Sequence, residues 1–327
     1  MEEQVGGVKR GWWTKRLDID PVGTNLYFHT FNLTEDTLWL LEKMPNVEII
    51  TIPGFCNPVY SRVQYDWLID VQHGLGKLEQ LRRVEWHGDG YDLLDFHWLT
   101  ELCPNLEHVA VALARSYEIS PDAVPITHDR IHTLLLQWFQ SDDASPPFTG
   151  WSLPSLRHMT YYVHQGQSIP MLLPLLRMQG AHMRSLEIPI ESQYDMYSRP
   201  YLDLVLPLVP NLNTIILDIF KTDFDEISNP GHANLCCVGW RLRTRFWRDD
   251  FKTLHAAVYY FDKALYPQLE RMEIVHPDPL STYTKGIAQN SREGWNYLMD
   301  GEILVFDYHG NRAVIPVEDE DEENDED

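Results

Sequence analysis

One frame recurs along this chain: a large apolar residue, a second three positions on, and a third two after that. In Leu-Glu-Gln-Leu-Arg-Arg-Val-Glu-Trp it falls on Leu81, Val84 and Trp86, and in Cys-Pro-Asn-Leu-Glu-His-Val-Ala-Val on Leu106, Val109 and Val111. It can be laid again on Thr14, Leu17 and Ile19; Val47, Ile50 and Ile52; Ile131, Leu134 and Leu136; and Leu156, Met159 and Tyr161. Further on it fits Met183, Leu186 and Ile188; Leu212, Ile215 and Leu217; Leu269, Met272 and Ile274; and Gly301, Leu304 and Phe306. First positions 81, 106, 131 and 156 are each 25 residues apart. The last two apolar residues of each frame have the period of a strand with one buried face. The Pro-Asn or Glu-Gln just before reads as a turn out of a preceding helix.

Units of this length with one strand apiece cannot bury their apolar side alone and must stack. The expected fold is therefore α/β: an irregular leucine-rich-repeat solenoid over residues 1–316, with a curved, mainly parallel sheet and helices or loops on the convex side. In chain order, residues 1–10 are polar and expected to be loose, and a first strand is expected over Lys15 to Asp20. Thr34 caps a helix carrying Leu38, Leu41 and Met44. Helices are also expected over residues 62–76, over Asp92 to Leu102 with Leu94, Trp98 and Leu102 on one side, over Ser168 to Met178 and over Tyr201 to Val209. Strands are expected over Ser185 to Ile190 and Asn213 to Ile219. The run Ser141-Asp-Asp-Ala-Ser-Pro-Pro is too rich in breakers for a helix, so that unit is expected to be looped.

The interval from Leu212 to Leu269 is about twice a repeat, which marks an irregular insertion over about 229–266. Leu235, Val238 and Trp240 reproduce the frame inside it but read as a decoy, within an excursion from Asn229 to Arg245. After it Trp247, Phe251, Leu254, Val258, Phe261 and Leu265 form one stripe of an amphipathic helix. A last helix over Glu293 to Met299 and a hairpin of Ile303 to Tyr308 with Ala313 to Val317 close the array. Residues 317–327, almost all Asp and Glu, can bury nothing and are expected to be a disordered tail.

The balance of 49 acidic against 26 basic residues, a net charge of −23, excludes a general nucleic-acid binder, which needs a basic surface. No window reaches a membrane span and the first residues lack the apolar stretch of a signal peptide. Cys56, Cys103, Cys236 and Cys237 have no paired spacing and read as reduced thiols, so the expected location is cytoplasmic or nuclear. The sequon Asn32-Leu33-Thr34 then has no glycosylation to direct.

Phrases such as Cys-Pro-Asn-Leu-Glu-His-Val, Leu-Pro-Ser-Leu-Arg-His-Met-Thr-Tyr and Tyr-Pro-Gln-Leu-Glu-Arg-Met-Glu-Ile resemble the repeat regions of fungal F-box proteins, over Trp12 to Tyr308. The repeats lack the asparagine that regular leucine-rich repeats place after the strand; Phe55, Asp89, Ala114 and His164 stand there. The resemblance implies repeats that hold a substrate for a cullin-type ubiquitin ligase. Only 13 residues precede Thr14, which leaves no room in this sequence for an F-box ahead of the repeats to dock the ligase adaptor. The recognition half is what the resemblance carries over. The acidic tail behind leucine-rich repeats is also similar to the acidic leucine-rich nuclear phosphoproteins, which implies, as an alternative, a binder of histones or other basic proteins.

In a parallel stack, equivalent outward positions form rows across the strands. One row reads Arg16, Ile49, Arg83, His108, Thr133, His158, Ser185, Thr214 and Arg271; the next runs from Asp18 through Thr51, Glu85, Ala110, Leu135, Thr160, Glu187 and Ile216 to Glu273. A third includes His87, Ala112, Gln137, Tyr162 and Asp218. Arg83, Glu85, His87, His108, Gln137, His158, Tyr162 and Glu187 are thereby the candidate partner-binding residues of the concave face, mixed donors with an aromatic; a merely solvated sheet face is the alternative. His87, His108, His132, His158 and His164 lack a metal-ligand spacing, and no metal or other cofactor is expected. No nucleophile, metalloprotease or phosphate-loop motif occurs, so the chain is not expected to be an enzyme; His87-Gly88-Asp89-Gly90 reads as a turn. Arg241, Arg245, Arg248 and Lys252 fall on one helical face, a dock for an acidic partner or an exposed face balanced by Asp249 and Asp250.

Overall fold

The computed structural model describes residues 4–5, 8–9, 14–18, 41, 43–52, 78–91, 93–114, 125–139, 148, 150–163, 171–188, 202–218, 229–241, 260–275 and 304–306. The chain divides into two compact units, residues 1–186 with 190–192 and residues 187–189 with 193–327. Each is built on parallel strands with helices or loops between them, an α/β arrangement.

In the first unit β1 (Gln4–Val5) and β2 (Val8–Lys9) form a short antiparallel ladder, where loose chain was expected. β3 (Arg16–Asp18), β4 (Ile49–Ile52), β5 (Arg83–Tyr91), β6 (His108–Ala114), β7 (Thr133–Phe139) and β8 (His158–Val163) then pair in chain order, all parallel. β9 (Ser185–Ile188) starts where Arg184 and Ser185 donate to the Arg157 carbonyl. The frame sets the core: Val47, Leu81, Leu106, Ile131, Leu156 and Met183 are buried in one column, and Ile50, Val84, Val109, Leu134, Met159 and Leu186 in the next. Each such side chain contributes about 1.5–3 kcal/mol by leaving water.

The backbone explains why the rows keep register. The carbonyl of the residue after each first apolar position accepts two amides of the following repeat. Glu48 receives Arg82 and Arg83, Arg82 receives Glu107 and His108, Glu107 receives His132 and Thr133, and His132 receives Arg157 and His158, over 2.7–3.2 Å. This spine satisfies the polar backbone just where strands begin, at positions that would otherwise be left unpaired. The Pro-Asn phrase also gains a cause: Asn105 Nδ2 donates to the Glu79 carbonyl of the repeat before, at 2.6 Å.

The segments between strands complete the core. α1 (Leu93–Leu102) buries Phe96, Leu99, Leu102 and the following Cys103; the side chains of Leu94 and Trp98 lie outside the described residues. The expected loop over residues 141–147 lies outside the described residues; after it the loop that carries Phe148, Trp151 and Leu153 buries all three, with Phe148 edge-on to Trp151 at 5.1 Å and to Tyr161 at 6.1 Å. Gly150 turns this loop with φ +85, and α2 (Leu173–Gln179) ties to it through Gln179 Nε2 on the Trp151 carbonyl at 3.1 Å.

In the second unit α3 (Leu202–Val205), extended by a 3-10 turn over Leu206–Leu208, leads into β10 (Thr214–Asp218). β11 (Cys237–Arg241), β12 (Arg271–Val275) and β13 (Leu304–Phe306) follow, parallel and in chain order. β11 corrects the expectation of an irregular excursion from Asn229 to Arg245. Leu235, Val238 and Trp240 are buried as a full frame, so the long interval is two repeats with first positions at 212, 235 and 269. The backbone spine continues here, Asn213 receiving Cys236 and Cys237, and Cys236 receiving Glu270 and Arg271. The expected helical stripe ending at Leu265 stops at Tyr260, because residues 261–265 turn; most of that stripe lies outside the described residues. Phe261 packs at 5.6 Å from Trp240 and 4.9 Å from Tyr266.

Both units use the same buried histidine. In most repeats the first apolar amide donates to the carbonyl three residues back, as Leu106 does to Cys103. At His128 the ring takes a neighbouring amide instead: its Nδ1 accepts the Arg130 amide, one before the first apolar Ile131, at 3.3 Å, and its Nε2 lies 3.0 Å from the Cys103 carbonyl of the previous repeat. His232 repeats the pattern with the Asn234 amide at 3.3 Å and the Val209 carbonyl at 2.9 Å. An amide can only donate, so Nδ1 must be bare and Nε2 must carry the proton. These are structural histidines.

Expected helices over residues 62–76 and 293–299, all but residues 41 and 43–44 of the helix after Thr34, the returning strand over residues 313–317 and the acidic tail lie outside the described residues.

Candidate outer-face binding surface

In the first unit the observed register places Arg16, Ile49, Arg83, His108, Thr133 and His158 in one row and Asp18, Thr51, Glu85, Ala110, Leu135 and Thr160 in the next, as read from the repeat frame. Gln137 pairs with Tyr162. Arg83, Glu85 and His108 come together. Arg83 Nε donates to Glu85 Oε1 at 2.7 Å, with Nη2 on the same oxygen. The Thr51 hydroxyl donates to Glu85 Oε2 at 3.3 Å, and His108 Nε2 lies 3.6 Å from Oε1. Thr51, from β4, was not among the expected site residues.

Burial decides how much this network matters. The Glu85 side chain is 15% exposed, His108 23% and Arg83 44%. Desolvation pushes the Glu85 carboxyl up, but the Arg83 hydrogen bond and charge, with His108 and Thr51 behind them, outweigh it and hold the group below its ordinary value. His108 is held below the ordinary imidazole value by burial first and by the Arg83 charge second, with Glu85 opposing. His158 is exposed and is lowered by partial burial, His132 and Arg157. Among the described residues of these rows the surface at neutral pH carries two ion pairs, Arg16 with Asp18 at 2.9 Å and Arg83 with Glu85, the second flanked by neutral imidazoles and by half-buried threonines, Gln137 and Tyr162.

Two expected placements are corrected. His87 does not join the third row: the ladder passes from Trp86 and Val111 directly to Tyr91 and Leu113, so residues 87–90 of β5 bulge opposite the single residue Ala112. Gly88-Asp89-Gly90 is therefore a bulge within a strand rather than a turn after one. Arg241 lies at the end of β11, not on a helical face; Arg245, Arg248 and Lys252 are outside the described residues.

Glu187 belongs to the second unit, where its Oε1 accepts from Arg241 Nη2. Arg241 pairs with Asp218 in register, so it reaches past β10 to Glu187. Gly239 makes the outer face lowest here: a Cβ would lie 2.8 Å from Ile216 Cγ1, which covers it. Arg271 and Glu273 pair at 3.0 Å on β12. Cys237 is buried and its thiol is pushed up to about 11, which leaves it protonated and unreactive at neutral pH.

A further row was not anticipated. The spine carries the side chains Lys15, Glu48, Arg82, Glu107, His132, Arg157 and Arg184 along the strand-entry edge of the first unit. Lys15 pairs with Glu48 and Arg82 with Glu107 at 2.5 Å, while His132 Nε2 is 3.8 Å from Glu107. The signal was in the sequence as alternating sign one position after each first apolar residue. Among the described residues no three His, Cys, Asp or Glu side chains converge as metal ligands would, and no helix is long and apolar enough to cross a membrane. No family model matches the chain, and no curated protein matches it either.

Proposed function

We propose that the chain is a non-catalytic protein-recognition scaffold, an irregular leucine-rich-repeat solenoid that holds a protein partner on the outer sheet face of its first unit. The reading keeps the likeness to F-box repeat regions as its setting, with substrate selection for a ubiquitin ligase as the role. The observation that carries it is the fixed row of Arg83, His108, Thr133 and His158 beside Gln137 and Tyr162. Strand pairing holds these side chains at a spacing of about 4.8 Å, so a partner meets donors and an aromatic already in place and little ordering is needed on binding.

Co-purification with a quantified partner tests this. Replacing Arg83 and Tyr162 together by Ala is expected to weaken partner binding by about 2 kcal/mol or more, the scale of interface hot spots, with unfolding unchanged. Arg241→Ala is expected to change it far less. Equal effects would remove the assignment, and absence of cullin and adaptor subunits from the purified complex would remove the ligase role.

A further inference from the structure

Several deeply buried polar side chains of this chain have clear partners. Tyr266 Oη donates to Asn229 Oδ1 at 2.7 Å, Gln179 Nε2 donates to the Trp151 carbonyl at 3.1 Å, and His128 and His232 each use both ring nitrogens. One aromatic cluster of the first unit departs from this. Trp151 and Tyr161 are fully buried, yet neither Trp151 Nε1 nor Tyr161 Oη has a hydrogen-bond partner among the described residues. The two rings share a neighbour, since Phe148 stands edge-on to both, and Phe96 lies 5.1 Å from Trp151. Burial alone pushes the Tyr161 hydroxyl above its ordinary value, with no hydrogen bond or charge acting on it. Tyr161 also stands where the strands before it carry aliphatic side chains, Leu136 beside it and Val111 beyond. A buried polar group left without a partner costs roughly 5- to 150-fold in the folding equilibrium, so this one cluster carries that cost twice.

We infer that Trp151 Nε1 and Tyr161 Oη hold one internal water molecule between them. The chemistry of the two groups selects the occupant. An indole N–H can only donate, so whatever meets it must accept, which rules out a cation; a phenol hydroxyl does both. An anion would find no charge to match in the rings of Phe96 and Phe148, and an apolar guest would leave both polar atoms unmet. Water accepts from Trp151 and exchanges a hydrogen bond with Tyr161, and two polar partners are the fewest with which an internal water is held. The water would brace the sheet from behind. Tyr161 points into the core between Thr160 and Tyr162, which alternate onto the outer face, and Trp151 sits on the loop that Gln179 ties to α2. The site is internal, so it stands or falls independently of any partner on the outer face.

A crystal structure of the full chain, at a resolution that shows ordered water, tests the inference together with Tyr161→Phe, which removes one oxygen and little else. Density for one water within about 3.2 Å of both atoms is expected. Tyr161→Phe is expected to lower the folding equilibrium constant about fivefold or more in denaturant unfolding, because the water and the indole behind it lose a partner. A site without that water, its indole N–H set against the Phe148 ring instead, would overturn the inference. So would a Tyr161→Phe chain at least as stable as the wild type, the result expected of a hydroxyl that is simply left dry.

Discussion

The two units carry the same two-residue device on their outer faces and put it to different use. Arg83-Val-Glu85 in the first and Arg271-Met-Glu273 in the second each place a cation and an anion two positions apart on one strand face. The Glu85 side chain is 15% exposed and also takes Thr51 and His108 as partners, whereas Glu273 is 28% exposed. Pairing on one strand is thus a local property, while the strength of the network depends on what the neighbouring strands supply. The first unit supplies polar neighbours from both sides. The second supplies Gly239, covered by Ile216, beside Glu273.

The comparison is sharpest where the units agree, in their cores. Leu134→Ala in the first and Val238→Ala in the second are each expected to cost about 2–5 kcal/mol in denaturant unfolding, because both sites are fully buried and would leave cavities. A loss confined to one of the two would show that the units do not share one construction.

The paired histidines come next. His128→Ala and His232→Ala each leave the Arg130 or Asn234 amide without its ring acceptor and strip the Cys103 or Val209 carbonyl of its second donor, leaving it only the Leu106 or Leu212 amide, and each is expected to cost about 1–3 kcal/mol. Unequal costs would mean that a masking contact exists in only one unit. Gly239→Ala is expected to destabilise by about 1–3 kcal/mol through overpacking against Ile216, with much of the loss recovered in the Ile216→Ala background. Failure of that recovery would mean the backbone, not the side chain, sets the close approach.

The smallest effects are in titration. The Glu85 carboxyl is lower in the folded chain than its ordinary value of 4.5, so its contribution is present above that pH and is lost as the pH falls below it. His108 is also lower than its ordinary 6.5, so the unfolded chain takes up its proton first and stability falls as the pH drops through that value. Glu85→Gln is expected to flatten the stability profile below pH 4.5, and His108→Gln to flatten it just below pH 6.5. Unchanged profiles would show the first unit's network to be as weak as an ordinary surface pair.

Much of this was legible because a strand buries every second residue and the repeat fixes which ones. The rows through Arg83, His108 and His158 followed from spacing alone and match the observed register. The strand at Cys237–Arg241 was missed because the steps on either side of Leu235, 23 and 34 residues, are unequal, and an even division of the long interval hid a complete frame. His87 was misplaced because Gly88 and Gly90 permit a bulge as readily as a turn, and only the pairing of Tyr91 with Leu113 distinguishes them. His128 and His232 gave no periodic signal, since their role is a hydrogen bond to the preceding repeat. The pairing of Glu187 with Arg241 skips a strand, which no row along the sequence encodes.

Cross-linking tests the in-register parallel stack most directly. In that stack Thr133 is the partner of His158, within the reach of about 4.4–6.8 Å between Cα atoms that a disulfide needs. Cysteines at Thr133 and His158 are expected to oxidise rapidly to one cross-linked species, located by mass spectrometry, while cysteines at Thr133 and Tyr162 are not. An antiparallel pairing about Leu135 and Thr160 would reverse the outcome, and ready cross-linking of Thr133 to Tyr162 would contradict the fold from which the face and the spine both follow.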